Sequence, residues 1–448
     1  MKNLIIRAKE IVTADSVNTI YKDHCVRIQE NKITDILPFN ISLTTAPNTE
    51  FIDASDKTLI PGFVQTHIHL CQTLFRGLAD DVQLLDWLQL YIFPYENAHD
   101  KNSLRTSARL GINELLLGGT TTLLDMGTLN HQEVIFEELA NSGIRAFAGK
   151  CMIDINTLFP SFKADTQNEL STTYELAKEF HGYNNGMIHY GFAPRFVLSC
   201  SEKLLKETKS MMQDFPKSLF HTHSSENKDE IRVVREMHNK DNIEYFDHIN
   251  VLDDHTVLAH CIHLNENEIR LMKKNNSRVS HCPSSNLKLA SGYANIPRYL
   301  KENISVSLGA DGAPCNNQLN IFTEMRLASL IQKPFHGPEI MDAITVFRLA
   351  TIDGAKALHI DDQVGSIEVG KKADLLLLDL NKPTLPLNRN DISLYSTIVY
   401  SGDKTIVDSV MVNGEWKVRN GNSVLYSQSE LQAQGKEELD KLLKRAVG

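Results

Sequence analysis

Eight short apolar runs alternate with segments of helical spacing along the middle of the chain, and this alternation narrows the possible folds more than any other feature. The runs are Phe63–Gln65, Thr121–Leu124, Ile144–Ala148, Met187–Phe192, Ser218–Phe220, Thr256–Leu258, Arg278–Ser280 and Ile304–Leu308. Segments with helix-like periodicity lie between them: Ser103–Leu117, Gln132–Asn141, Asn168–Glu179, Glu202–Gln213, Lys228–Asn239, Glu266–Asn275 and Ile296–Glu302, with Leu319–Gln332 after the last run. Gly, Pro or Asn punctuates many of the junctions. Eight β-then-α units predict an α/β fold of the (β/α)8 TIM-barrel type. The competing layout is an open doubly wound sheet, but no Gly-x-Gly-x-x-Gly opens a helix after the first run.

The flanks have a different period. Residues 1–58 alternate apolar and polar side chains between turn signals, as in Ile5-Ile6-Arg7-Ala8, and residues 363–420 do likewise, as in Glu415-Trp-Lys-Val418. Both ends read as β and are expected to pair into one small β-sandwich domain beside a barrel of residues 59–362. Residues 421–448 end the chain, with an amphipathic helix expected from Ser429 onward.

The chain has 448 residues, which suits a large barrel with an appendage. Its formal net charge of −10 argues against nucleic acid or an anionic membrane surface as partner. The N-terminus lacks a secretory apolar core, and no apolar run approaches a membrane span. Seven cysteines, an odd number without Cys-x-x-Cys, predict free thiols in a reducing cytoplasm and no zinc knuckle. The expectation is a cytoplasmic protein that assembles with copies of itself and acts on a small molecule.

In a barrel of this type the active site lies at the C-terminal ends of the strands. The first run leads into His67-Ile68-His69, two imidazoles on one side of an extended chain. The fifth leads into His221-Thr-His223-Ser-Ser-Glu226, the sixth into His260-Cys261, the seventh into His281-Cys-Pro283 and the eighth into Gly309-Ala-Asp311-Gly312. His67, His69, His223 and Asp311 supply three imidazoles and a carboxylate, a set suited to one divalent ion, zinc first, with iron or another first-row metal as alternatives. Such an ion lowers the pKa of a water toward neutrality. Glu226, just past a strand end, can take a proton from that water and deliver it to a substrate nitrogen. His260 can hydrogen-bond a developing oxyanion. His221 shares a face with His223 and is expected to support the ligands from behind or to pack.

These residues together resemble the amidohydrolase superfamily, in its branch of nucleobase and nucleoside deaminases and triazine hydrolases. The resemblance covers nearly the whole chain. It rests on Pro61-Gly-Phe-Val-Gln-Thr-His-Ile-His69, His223-Ser-Ser-Glu226, Ala259-His-Cys261, Ser280-His-Cys-Pro-Ser-Ser-Asn286, Gly309-Ala-Asp-Gly-Ala-Pro-Cys-Asn-Asn317 and Val364-Gly-Ser-Ile-Glu-Val-Gly-Lys-Lys-Ala-Asp374. It implies a one-metal hydrolytic deaminase with Glu226, His260 and Asp311 catalytic. Binuclear relatives need a carboxylated lysine on a central strand; the fourth run has none, and Lys150 is the one candidate nearby.

Two groups within the branch compete for the substrate. Leu74-Phe-Arg-Gly-Leu-Ala-Asp-Asp81 and the stretch Asn316–Ala328 look like deaminases of 5′-modified adenosines, where the residue matching Glu96 holds the ribose hydroxyls. Gln72, Trp87 and Pro194-Arg-Phe-Val-Leu-Ser-Cys-Ser201 are similar to the base pocket of guanine deaminase, with Arg195 as a donor to the purine. The S-adenosylhomocysteine group typically has a His near Ala193 and an Arg where Lys150 stands. Their absence argues for a small 5′ group, with Lys150 kept as a substrate contact and His281 placed either against the base or in the packing. Triazine and pterin hydrolysis are further alternatives, and an inactive binding protein is a rival from another class. All of its ligand and acid–base positions are filled, which an inactive protein does not require.

Overall fold

The computed structural model describes residues 3–387 and 392–447. All eight runs form strands, and all eight helical segments form helices. The parallel strands are Phe63–His69, Thr120–Asp125, Arg145–Ala148, Ile188–Pro194, Leu219–Ser224, Thr256–His260, Arg278–His281 and Val306–Leu308, each paired with the next. A two-residue strand, Cys151–Met152, adds a second pairing to Ile188–Pro194. Closure comes from the last turn of chain. Val306–Leu308 pairs with Arg278–His281, and Asp311–Gly312, three residues on, pairs with Phe63–His69. Gly309 makes that switch possible: a Cβ there would lie 2.7 Å from the His67 carbonyl oxygen.

The interior is layered. Val64, Leu124, Phe147, Leu219 and Val257 form an apolar floor, closed by Leu358, Ile360 and Val364. Above it Thr66 Oγ1 meets Ser280 Oγ and Ser307 Oγ, each at 2.7 Å. The register of Phe63–His69 against Thr120–Asp125 shifts between Gln65 and Ile68. This irregularity lets the adjacent residues Thr66 and His67 both reach interior partners, as bulges do when they re-aim a side chain.

Strands from both chain ends build a second sheet of eight strands, with Glu50–Pro61 beside Asn3–Val12 on one side and Leu375–Leu378 on the other. Leu4, Ile6, Val26, Ile33, Leu375, Leu377 and Met411 share its core, so neither end can bury its apolar face alone. Glu50–Pro61 runs past residue 58 and carries the small sheet to within two residues of the first barrel strand. A buried Arg145–Asp374 ion pair, at 3.2 Å, fastens the third barrel strand to the small sheet.

The terminal helix Gln428–Val447 lies against Lys101–Leu117, where Arg445 bonds the Ala98 carbonyl at 2.8 Å. Its Leu439, Leu442 and Leu443 pack with Trp87, Phe93 and Leu110. It therefore braces the inserted segment between the first strand and its helix. Among the described residues no helix is long and apolar enough to cross a membrane.

Candidate active site

The strands run further than their apolar runs. Phe63–His69, Leu219–Ser224, Thr256–His260 and Arg278–His281 include their histidines, so the backbone ladder itself positions the imidazoles. His67, His69, His223 and Asp311 converge, with one potential ligand atom from each lying within 4.8 Å of the others. His67 Nε2 is 3.2 Å and His69 Nε2 3.4 Å from Asp311 Oδ1, and His69 Nε2 is 3.2 Å from His223 Nε2.

Backbone carbonyls select the tautomers. The Val257 carbonyl can only accept, so His221 donates from Nδ1 at 3.1 Å and presents a lone pair at Nε2. That lone pair accepts Nδ1–H of His67 at 2.8 Å. His67 Nε2 is left as a bare acceptor facing a carboxylate oxygen, buried and without a hydrogen-bond partner among the described residues. His223 likewise donates Nδ1–H to the Arg195 carbonyl at 2.7 Å and turns Nε2 inward. Two acceptors that face each other in a buried site repel unless a cation lies between them. Burial also pushes His67, His69 and His223 down, toward the neutral form that ligates metal. Burial would raise Asp311, but His67 and His260 hold it well below the usual carboxylate range. The donor set, its tautomers and its orphaned atom all fit a divalent cation of the zinc type.

Glu226 and His260 stand beside this quartet. Glu226 Oε2 is 3.6 Å from His260 Nε2, and His260 Nε2 is 3.9 Å from Asp311 Oδ2. Burial pushes the Glu226 carboxyl up to about 7, against the pull of His260. Burial works against charge on His260, yet Glu226 and Asp311 outweigh it and raise its pKa. A carboxyl poised near neutrality suits a group that takes up and returns a proton. The backbone is strained here as well: Ser225, His260 and Asp311 have φ of 53°, 72° and 63°. Non-glycine residues in this region cost roughly 1–3 kcal/mol each and cluster where function requires them.

Of three residues missed in the sequence reading, two hold the acid–base pair and one holds the turn after a metal-ligand candidate. Asn286 Oδ1 accepts Nδ1–H of His260 at 2.8 Å, which aims Nε2 at Glu226 and Asp311. Glu230 accepts the Glu226 backbone N–H at 2.8 Å and caps the helix Lys228–His238. Asp125 accepts the N–H of Leu70 at 2.8 Å and of Gly127 at 3.0 Å, fixing the turn after His69. Glu230 had a visible signal, since Asn227 and Glu230 have capping-box spacing. Asn286 had none beyond its place in the seventh strand-end motif.

The substrate candidates are distributed unevenly. Gln72, Trp87 and Arg195 line the cavity together with His69, His223, Glu226, His260 and Asp311. Glu96 is buried behind them, where its carboxylate accepts from Arg195 Nη1 at 2.6 Å, Arg195 Nη2 at 3.3 Å and Gln72 Nε2 at 2.7 Å. Residues assigned to rival substrates are thus one network. Lys150 is not brought to the cavity; its Nζ is 2.5 Å from Glu169 Oε1 in a buried ion pair. His281 is fully buried outside the cavity wall, and neither ring nitrogen has a hydrogen-bond partner among the described residues.

Comparison with known proteins agrees with this geometry. The model of the amidohydrolase family matches residues 58–417. The chain is 36% identical to 5′-deoxyadenosine deaminase of Methanothermobacter thermautotrophicus over 94% of each sequence. It is 33% identical to 5-methylthioadenosine/S-adenosylhomocysteine deaminase of Thermococcus sibiricus, over 92% of this chain and 93% of the other. The crystal structure of an adenosine deaminase from Xanthomonas campestris with bound zinc superposes with a TM-score of 0.90 at 27% identity, covering 99% of both chains. The protein belongs to the amidohydrolase family.

Proposed function

We propose that the protein is a metal-dependent hydrolytic deaminase that converts a 5′-modified adenosine, such as 5′-deoxyadenosine or methylthioadenosine, to the matching inosine and ammonia. The observation that carries the proposal is the pairing of a buried carboxyl poised near 7, Glu226, with a three-histidine, one-aspartate quartet in one cavity. Relatives named for adenosine-type substrates over nearly the full chain support the substrate class.

His67, His69, His223 and Asp311 would hold one divalent cation, zinc in the first instance. The cation supplies a Lewis acid that makes water acidic near neutral pH. Glu226 takes a proton from the water that adds to C6 of the adenine ring and delivers it to N1. His260, aimed by Asn286, donates to the oxygen as charge develops on it. Asp311 accepts the second proton as the C6=O bond forms and passes it to the amino nitrogen, so the C6–N bond breaks with ammonia as the leaving group. Trp87 offers a flat apolar wall, and Glu96, which lies behind it on Arg195 and Gln72, would accept ribose hydroxyls by exchanging its Gln72 contact.

Guanine is the second reading. Gln72 and Arg195 reach the cavity with amide and guanidinium groups that match a purine oxygen and ring nitrogens, and Gln72 Oε1 has no hydrogen-bond partner among the described residues. Ammonia release from 5′-deoxyadenosine, methylthioadenosine, S-adenosylhomocysteine, adenosine and guanine decides between them. Guanine turned over far faster than every adenosine would overturn the first reading.

A further inference from the structure

The barrel ladder between the seventh and eighth strands ends where the Gly309 N–H meets the His281 carbonyl at 3.1 Å, and beyond it the chain parts into two loops. One loop carries Asn286, which aims His260; the other carries Asp311 across to the first strand. The strands that bear His260 and Asp311 do not pair with each other, so the ladder alone does not fix the 3.9 Å between the two side chains.

Glu324, on the helix Ile321–Leu330, bridges these loops. Its Oε2 accepts the Ser284 N–H at 3.1 Å, and its Oε1 accepts the Ser284 hydroxyl at 2.5 Å and Asn316 Nδ2 at 2.9 Å. Ser284 lies two residues before Asn286 in the same short helix, Pro283–Lys288. Asn316 also donates to the Ala310 carbonyl at 2.7 Å, on the residue before the strained Asp311. That carbonyl can only accept, which fixes the Asn316 amide as the donor. Each Glu324 oxygen thus receives an N–H that can only donate, and the side chain is fully buried. A second link joins the same loops from a partly exposed position, Lys288 Nζ to the Pro314 carbonyl at 2.7 Å.

Resting on the deaminase reading above, we infer that Glu324 is a positioning residue: it clamps the loop that aims His260 to the loop that carries Asp311, and so sets the distance between those two groups. In that reaction His260 donates to the oxygen on C6 and Asp311 takes a proton from the same oxygen. Both must therefore reach one atom together, and misplacing a catalytic group by about 1 Å costs on the order of a hundredfold in rate. Glu324 does not line the catalytic cavity, so it acts only through Ser284 and Asn316.

The test compares zinc-loaded wild type, Glu324→Gln, the reciprocal swap Glu324→Gln/Asn316→Asp, and Lys288→Met. The amide of Glu324→Gln keeps the shape but must set an N–H against the Ser284 or Asn316 N–H. Its kcat on 5′-deoxyadenosine should fall by about 10–100-fold, with KM and the one-ion metal content little changed. The swap restores a donor facing an acceptor and should recover most of the lost kcat. If the double variant does not fold, Ser284→Ala, which removes one donor, should lower kcat by less than Glu324→Gln and again spare KM. Lys288→Met cuts the outer link only and should keep kcat near that of wild type. Crystal structures of the zinc-loaded proteins, without substrate, should show the His260–Asp311 separation lengthened in Glu324→Gln and restored in the swap. Near-normal kcat in Glu324→Gln, an unchanged separation, or an equal loss in Lys288→Met overturns the clamp. A wild type that deaminates no purine overturns the deaminase reading instead, and the separations still decide whether Glu324 sets the spacing.

Discussion

The metal quartet and the Glu96 network occupy neighbouring walls, yet they are in opposite states. Three contacts join the Glu96 carboxylate to the Arg195 guanidinium and the Gln72 amide N–H, and only Gln72 Oε1 lacks a hydrogen-bond partner among the described residues. The quartet is not satisfied, because the Val257 carbonyl, acting through His221, fixes a tautomer that leaves His67 Nε2 a bare acceptor facing Asp311. The contrast teaches how two kinds of binding site are prepared. A resident cation can be required for the site to be comfortable at all, whereas a visiting substrate must find groups that are stable without it.

The sharpest way to break this contrast is to delete a ligand. His67→Ala or Asp311→Ala should lose the metal and reduce activity to background together, read by metal analysis and ammonia release. Next comes Glu226→Gln, which should keep the metal and lose roughly two to four powers of ten in kcat. Because burial places Glu226 near 7 and a bound cation draws it lower, the wild type should lose kcat/KM as pH falls through a value at or below about 7. The sign follows from the need for an ionised carboxylate to accept the water's proton, and that acid limb should vanish in the glutamine variant.

The network should respond differently. Glu96→Ala should cost about 1.5–3 kcal/mol, roughly ten- to a hundred-fold in kcat/KM on 5′-deoxyadenosine. It also strands a guanidinium that is only 3% exposed, so the folded state should lose about 3–5 kcal/mol. Adding Arg195→Ala should restore part of that stability, a coupling a double-mutant cycle in urea would measure. Strict additivity would show that the pair is not one unit. The smallest effect is expected behind the quartet: His221→Phe removes the acceptor that orients His67 and should weaken metal affinity by roughly 10–100-fold, visible only when metal is limiting.

Much of the fold could be read from the chain because period and punctuation agree. Glu266–Asn275 forms at its expected bounds, and Lys228–His238 falls one residue short of them. The strands were expected too short, since the apolar pattern stops where the functional histidines begin; Leu219–Ser224 continues four residues past Phe220. The quartet was legible because each member lies near or just past the end of an apolar run, and barrel closure brings those ends together. The Glu96–Arg195 pair was not legible. The two residues are 99 positions apart on an inserted helix and a strand-end loop, and the insertion is placed by tertiary packing against several barrel loops and the terminal helix. The pairing of Lys150 was not legible for a similar reason: its partner Glu169 comes from the following helix, whose facing side sequence spacing does not reveal.

The central claim is that one cation, held by His67, His69, His223 and Asp311, equips Glu226 for deamination. The most direct test measures metal content per chain and ammonia release from 5′-deoxyadenosine on the same samples, before chelation, after chelation and after stepwise return of zinc. The account predicts one ion per chain in the active protein, loss of activity on chelation, and recovery in proportion to zinc up to one equivalent. Full activity without metal, or recovery that requires two tightly held ions per chain, would contradict it.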